Sequence, residues 1–346
     1  MRASLIDLLV CPICREPFAL VAPDRPGDTQ IDDGQIDDGR LRCGRSHEFR
    51  IAQGVARLLP DSATSPGNEP GTSAERSAAA QSISETYDAM WSRSRPGDRE
   101  WSNELEERVE AFPLEVRTEP AELVGKNVLD AGCGLGTLAR AIVRYGCSAV
   151  GLDVSESVAA AVHGSSPEER AQTDFVQGDL MEHPFSDRVF DIVYAGGVLH
   201  LNPEPKAAFT SLQRALKPGG VMYIWVYGKV PTRGHAARQV ARTVLSRLPH
   251  RVRFSIISLW LPQAMLRQRL RTWRGTNDER DRLTTRERFT HLLDHYTPKY
   301  RWEFEQDEVR AWFVEAGFTD IEINAAGMGF GVTATLSAPD PSVASA

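Results

Sequence analysis

The chain has 346 residues, enough for two domains of ordinary size, and its 41% hydrophobic and 25% charged residues exclude a largely disordered, fibrous or collagen-like polypeptide. A formal charge of −7, from 47 acidic and 40 basic residues, does not suit a protein whose whole surface tracks nucleic acid. The longest apolar run, Phe254 to Pro262, is far shorter than the ~20 residues that span a bilayer. The opening MRASLIDLLV does not have the pattern of a signal peptide, because Asp7 interrupts its short apolar run. The expectation is a cytoplasmic protein.

Residues 1–60 read as a compact unit. Three of the five cysteines, Cys11, Cys14 and Cys43, lie in this first stretch, which is a poor disulfide scaffold but a good metal pattern. Cys11-Pro-Ile-Cys14 offers two thiolates on one knuckle, and Cys43 with His47 supplies a second pair after 28 intervening residues. Three thiolates and one imidazole close a tetrahedral, structural zinc site with no position left for a catalytic water. The alternative is a set of reduced cysteines in a small core. A short repeat, IDDGQ at 31–35 and IDDGR at 36–40, lacks the alternating ligands and closing Glu of a calcium loop and reads as an Asp-Gly turn or hairpin.

The Ser-, Pro-, Gly- and Ala-rich stretch 61–82 reads as a linker. A helical pattern starts at Ile83 with ISETYDAMW and WSNELEERVEAF, and strands are predicted at Asn127 to Asp130, Ala149 to Asp153, Asp174 to Gln177, Phe190 to Tyr194 and Val221 to Val226. Strands alternating with amphipathic segments predict an α/β fold, a mostly parallel sheet covered on both faces, for residues 83–228. From 229 to 300 the alternation stops. Lys229 to Phe289 carries 15 Lys or Arg against 4 Asp or Glu, and this region reads as a helical basic insertion. The pattern resumes at 301–338 with a helix around Gln306 to Ala316 and strands at Asp320 to Asn324 and Phe330 to Leu336, before a loose tail at 339–346.

The sharpest chemical signal is VLDAGCGLGTLARAIVRYG, residues 128–146. A strand ends at Asp130, Gly132, Gly134 and Gly136 follow, and a helix begins, which lets backbone amides approach an extended ligand. A dinucleotide is disfavoured but stays open, since the third fingerprint glycine is Thr137 counted from Gly132, or the tolerated Ala139 counted from Gly134. Asp153 ends the next strand, where a ribose diol lies, and Asp179 follows the third, suited to accept from an adenine amino group while Leu180 packs on the ring. A single Asp at a strand end is commonly a cap or turn residue; three at successive strand ends point to a ligand.

VLDAGCGLGTLA, GLDVSESV, QGDLMEHPFSDRVFDIVYAGGVLHL and ALKPGGVMYIWVY resemble, in order and spacing, the motifs of class I S-adenosylmethionine-dependent methyltransferases, over about 127–227. The resemblance implies a Rossmann-like seven-stranded sheet with only the last strand antiparallel. It also implies that Gly132, Gly134 and Gly136 contact the methionine and ribose portion of S-adenosyl-L-methionine, that Asp130 fixes their loop, that Asp153 binds ribose, and that Asp179 and Leu180 bind adenine. LIDLLVCPICREPFAL with LRCGRSHEFRIAQGVARLLP is similar to the zinc-ribbon-like activators of transfer-RNA methyltransferases and to the N-terminal zinc module of ribosomal RNA guanine-N1 methyltransferases. The matching ligands for Zn2+ are Cys11, Cys14, Cys43 and His47.

Methyl transfer from a sulfonium depends largely on positioning, with a proton acceptor needed where the acceptor is a hydroxyl or amine. His200, just after the fourth strand in AGGVLHL, is the candidate base; a loop histidine bonded to backbone is the competing reading. Tyr194 and Tyr227 are weaker candidates, and Tyr87 and Trp91 are candidate lid residues or ordinary core. In the insertion, VRFSIISLWLPQAMLRQRLRTW suits a helical cap with a solvated basic face, contact with a membrane surface, or contact with an anionic substrate. The expected function is methyl transfer to a small-molecule or biosynthetic-intermediate acceptor, because the chain is acidic and the loop AGGVLHLN is unlike the loops used on flipped bases. The alternatives are an RNA methyltransferase and a non-catalytic donor-binding adaptor acting through its zinc module.

Overall fold

The computed structural model describes residues 1–21, 30–32, 34–60, 74–91, 105–229, 235–275 and 283–338. The expected linker over 61–73 and the expected tail over 339–346 lie outside these residues. The remainder of the linker is corrected: α1 spans Ala74–Trp91, so the helix starts ahead of Ile83. The reason is composition, since AERSAAAQS is rich in alanine, the strongest helix former.

Among the described residues, twelve strands form one sheet. In chain order they are β1 (Phe18–Leu20), β2 (Gln30–Asp32), β3 (Gln35–Cys43), β4 (Glu48–Ala52), β5 (Val55–Arg57), β6 (Asn127–Ala131), β7 (Ser148–Asp153), β8 (Thr173–Gln177), β9 (Phe190–Gly196), β10 (Leu216–Tyr227), β11 (Phe318–Ala326) and β12 (Gly329–Leu336). Their spatial order is β1-β3-β4-β5-β8-β7-β6-β9-β10-β12-β11, with β2 paired antiparallel to β3; the second copy of the Asp-Gly repeat lies within β3.

The strands from β5 through β8, β7, β6, β9 and β10 pair in parallel, and β12 is antiparallel to both its neighbours. The expected seven-stranded sheet with one antiparallel strand is therefore corrected. The N-terminal unit does not fold as a separate layer; β5 lies against β8 in register Val55↔Phe175, and β4, β3 and β1 continue outward antiparallel to one another. A free edge of β8 would expose a row of unpaired amides and carbonyls, and β5 covers it.

Helices flank this sheet: α2 (Leu105–Val116), α3 (Thr137–Ile142), α4 (Ser157–Gly164), α5 (Pro167–Arg170), α6 (Pro205–Ala215), and, between β10 and the final helix α10 (Gln306–Glu315), the three insertion helices α7 (His235–Leu245), α8 (His250–Trp273) and α9 (Thr285–Tyr296). Adjacent residues of the central strands feed opposite cores. Val128 and Ile192 pack with Phe112 of α2 and Leu138 of α3, whereas Leu129 and Val193 pack with Phe209 of α6 and Phe185. β8 is buried along its whole length, as a parallel strand covered on both faces must be. The second core runs on without a break into Leu5, Leu41 and Phe49 of the N-terminal unit.

Candidate functional site

The turn after β6 is shaped by its glycines. Gly132, Gly134 and Gly136 have φ of 80°, 53° and 71°, and a Cβ at Gly132 would lie 2.5 Å from Val198 Cγ2, at Gly136 2.5 Å from Phe175 Cε1. The turn is closed by Gly132 and Cys133 N–H groups donating to Leu152 O at 2.7 and 3.1 Å. Asp130 lies beneath it, 4% exposed, and accepts from Ala139 N–H at the start of α3 at 3.2 Å. Burial pushes its carboxyl up to about 7 in spite of the nearby Arg108 guanidinium.

Asp153, at the end of β7, accepts from Gly134 N–H at 2.9 Å and from Ser155 N–H and Oγ at 2.9 and 2.6 Å. It thus fixes the glycine turn directly. A carboxylate has about four lone-pair sites, and Ser155 Oγ has a second partner in Ser157 Oγ at 2.5 Å, so a ligand hydroxyl can take over part of this arrangement. Asp179 follows β8 and accepts from Met181 N–H at 2.9 Å; Leu180 beside it is buried.

Asp130, Gly132, Gly134, Asp153, Asp179 and Leu180 line one cavity of about 440 Å³, together with His200, Tyr194 and Tyr227, and with Tyr87 and Trp91 of α1; Gly136 lies against Phe175 and Ala161 and is outside that lining. Trp91 covers the glycine turn closely enough that a Cβ on Gly134 would lie 2.9 Å from its ring. His200 sits on the 3-10 turn after β9, 2% exposed, with Tyr227 and Trp225 edge-on at 4.6 and 6.0 Å. Its Nδ1 is buried without a hydrogen-bond partner. Desolvation first, then the Arg301 and Arg242 charges, hold its pKa well below the usual histidine range, so the imidazole is neutral.

Asp294, Arg108 and Glu115 are among the cavity residues that escape a reading by motif. Asp294, on α9 of the insertion, accepts from Tyr87 OH at 3.0 Å and Tyr227 OH at 3.3 Å, joining α1, β10 and the insertion at one carboxylate. Arg108 and Glu115, both on α2, form an ion pair at 2.7 Å, and Arg108 also donates to Tyr194 OH at 2.6 Å. The only hint of Asp294 in the sequence is a lone carboxylate in the HLLDHY run; its partners lie 207 and 67 positions away.

The N-terminal unit brings Cys11, Cys14, Cys43 and His47 together, their ligand atoms within 4.8 Å of one another. The two knuckles are tied by local bonds, Arg15 N–H to Cys11 O at 2.8 Å and Cys43 N–H to His47 O at 3.1 Å. Cys11 Sγ and Cys43 Sγ lie 3.5 and 3.4 Å from His47 Nδ1, and Cys14 Sγ lies 3.6 Å from Cys43 Sγ. These separations match the edges of a tetrahedron with metal–sulfur bonds of ~2.3 Å and metal–nitrogen bonds of ~2.0 Å. The remaining cysteines lie elsewhere: Cys133 within the glycine turn and Cys147 fully buried.

Residues 129–224 match the family model described as a methyltransferase domain. The sterol 24-C-methyltransferase ERG6B of Gibberella zeae is 37% identical over 107 residues, which are 30% of this chain and 28% of that one. The ubiquinone biosynthesis O-methyltransferase of Klebsiella pneumoniae is 33% identical over 102 residues, 29% of this chain and 42% of that one. The chain thus spans less than a third of the sterol methyltransferase and under half of the ubiquinone enzyme. Among solved structures, the magnesium protoporphyrin IX methyltransferase of Synechocystis PCC 6803 aligns with 76% of this chain and all of its own, at 15% identity and a TM-score of 0.47.

Proposed function

We propose that the protein is an S-adenosylmethionine-dependent methyltransferase acting on a small-molecule or biosynthetic-intermediate acceptor, with a structural zinc ion in its N-terminal unit. The observation that carries the reading is the convergence on one cavity of the glycine turn after β6, the carboxylates ending β7 and following β8, and His200 after β9. In this reading Gly132, Gly134 and Gly136 hold the methionine and ribose portion, Asp130 fixes the turn, Asp153 accepts from the ribose hydroxyls, and Asp179 and Leu180 take the adenine. When bound, the donor supplies a sulfonium methyl group for in-line transfer to the acceptor's nucleophilic atom. His200, neutral and part of the cavity wall, accepts a hydrogen bond or proton from an acceptor hydroxyl or amine. Tyr87, Tyr227 and Asp294 shape the rest of that wall. The sterol and ubiquinone enzymes named above support a small-molecule acceptor over RNA.

Cys11, Cys14, Cys43 and His47 would hold the zinc in a closed shell, which confines its role to structure. Elemental analysis of purified protein should find about one equivalent; under about half would count against the site.

Calorimetric titration with S-adenosylmethionine tests the donor assignment. Wild type should bind one molecule, Asp153→Ala should weaken binding about 10- to 100-fold through lost charge-assisted hydrogen bonds, and His200→Ala should leave it within about twofold because that residue faces the acceptor. Absence of binding, or an Asp153→Ala variant equal to wild type, sinks the assignment. Robust transfer of labelled methyl to bulk ribosomal or transfer RNA would replace the small-molecule acceptor by RNA.

A further inference from the structure

α8 has two faces of opposite character. Its inner face is packed: Ile257 is fully buried with Met90 of α1 and Leu293 of α9, the Arg253 guanidinium donates through one Nη to Thr297 O at 3.0 Å, and Trp260 meets Tyr296 edge-on at 5.3 Å. The outer face would ordinarily be polar on a surface helix. Here Val252, Leu259, Leu266 and Trp273 recur every seven residues, and they are 43%, 78%, 57% and 83% exposed. Seven residues are nearly two helical turns, so these side chains form one stripe with only ~20° of drift per step. Leu270, 43% exposed, widens it.

The edges of this stripe are basic. Arg251, Arg267, Arg269 and Arg274 are exposed beside it, and no Asp or Glu occurs from His250 to Gly275. We infer that the outer face of α8 docks on an anionic lipid bilayer, its leucines and Trp273 entering the boundary between headgroups and acyl chains while the arginines meet lipid phosphates. An apolar stripe with a terminal Trp and arginine flanks is the composition of a helix that lies in a membrane interface. Charge argues against a second copy of the chain, because a two-fold contact would set this cationic face against itself. It also sets the orientation. The protein is acidic as a whole, so a negative surface attracts the insertion and repels the remainder.

Docking bears on access to the cavity, because the inner face of α8 packs on α1 and α9, the helices that carry Tyr87 and Asp294. The inference itself is independent of the methyl-transfer reading, and so is its test. Purified protein is floated with vesicles of phosphatidylcholine alone or with ~30 mol% phosphatidylglycerol. Recovery with the anionic vesicles should exceed that with neutral ones at least ~10-fold and fall as NaCl rises from ~0.1 to ~0.5 M.

L259E/L266E/W273E should abolish flotation, and R251Q/R267Q/R274Q should reduce partitioning roughly 100-fold, at about fivefold for each arginine. Far-UV circular dichroism and thermal unfolding of both variants should match wild type, since every altered side chain is exposed. Equal recovery with neutral and anionic vesicles, no flotation at all, or flotation retained by the folded L259E/L266E/W273E variant overturns the inference. So does sedimentation in which that variant abolishes a self-association while vesicle binding is absent.

Discussion

Gly136 separates two penalties that are often merged. Its φ of 71° is costly for any L residue, by roughly 1–2 kcal/mol, and a Cβ there would also lie 2.5 Å from Phe175 and 2.8 Å from Ala161. Gly125 has nearly the same φ, 73°, with nothing within 4 Å of the added atom. Gly125→Ala should therefore lower unfolding stability by only ~1 kcal/mol, and Gly136→Ala by ~2–4 kcal/mol once overpacking is added; paired urea titrations read the difference. His183 makes a second prediction at this scale. Its Nε2–H donates to Ser211 O at 2.8 Å and its Nδ1 accepts from Phe185 N–H at 3.3 Å, so both nitrogens serve the neutral ring. Burial, then Arg15 and Arg214, pull its pKa down from 6.5 to about 4. Between those values the unfolded chain binds the proton and the folded one does not, so the stability present above pH 6.5 is lost on acidification at about 1.4 kcal/mol per unit until pH 4. Asp130 acts in the opposite sense: its pKa is raised to about 7, so its contribution is full below the unfolded value near 3.8 and is lost as pH rises through 7. His183→Gln should flatten the acid limb of a stability–pH curve, and Asp130→Asn should steepen it. Unchanged slopes in both variants would remove these groups from the linkage.

At the scale of elements, α1 is the piece most dependent on distant partners. Among the described residues it is held by Tyr87 to Asp294 of α9, Asp88 to the Glu156 N–H ahead of α4 at 2.8 Å, Trp91 against Gly134, and Met90 buried with Ile257 of α8 and Leu293 of α9. Its own sequence adds little, since it has no strongly apolar face. Tyr87→Phe removes a hydrogen bond to a carboxylate, worth ~1.5–3 kcal/mol, and should raise amide exchange through α1 while leaving β6 to β9 protected. Uniform acceleration across the sheet would mean that the bond stabilises the whole fold rather than this helix. The same contrast explains what was legible in the sequence. The strands β6 to β10 and the cavity residues Gly132, Gly134, Asp153 and Asp179 follow from local patterns, since each strand is a short apolar run ending in a turn whose chemistry is written within a few residues. Asp294, Arg108 and Glu115 do not. Each owes its place in the cavity to partners on other elements, and nothing in a helix of mixed polarity says which of its polar side chains will be turned inward. The helical start at Ala74 was hidden for a different reason, because serine and alanine occur in linkers as freely as alanine does in helices.

For the whole molecule, the question is whether the N-terminal unit is an appendage or part of the parallel sheet. Spacing of cysteines suggests a self-contained module, yet no local pattern in Val55–Arg57 announces that it will pair with Phe175–Gln177. The structure joins them by more than that pairing. The Asp174 side chain, fully buried, is met by Arg2 at 2.8 Å, and Arg15, next to the first cysteine pair, donates to His183 O and Phe185 O at 2.8 and 2.7 Å. Leu58 N–H also donates to Gln177 O at 2.7 Å, at the end of the strand that leads to Asp179. A unit of this size has a small core of its own and gains much from a metal staple. If zinc holds the two knuckles, its loss should loosen β5, uncover the edge of β8 and carry through to the cavity. Stripping the metal with a chelator, or Cys14→Ala, is therefore expected to lower one cooperative unfolding transition and to weaken S-adenosylmethionine binding together, although none of the four ligands lines the cavity. Scanning calorimetry with parallel donor titration checks this. Two separate transitions, of which metal removal shifts only the smaller and leaves donor affinity intact, would make the N-terminal unit an independent domain that merely rests against the sheet.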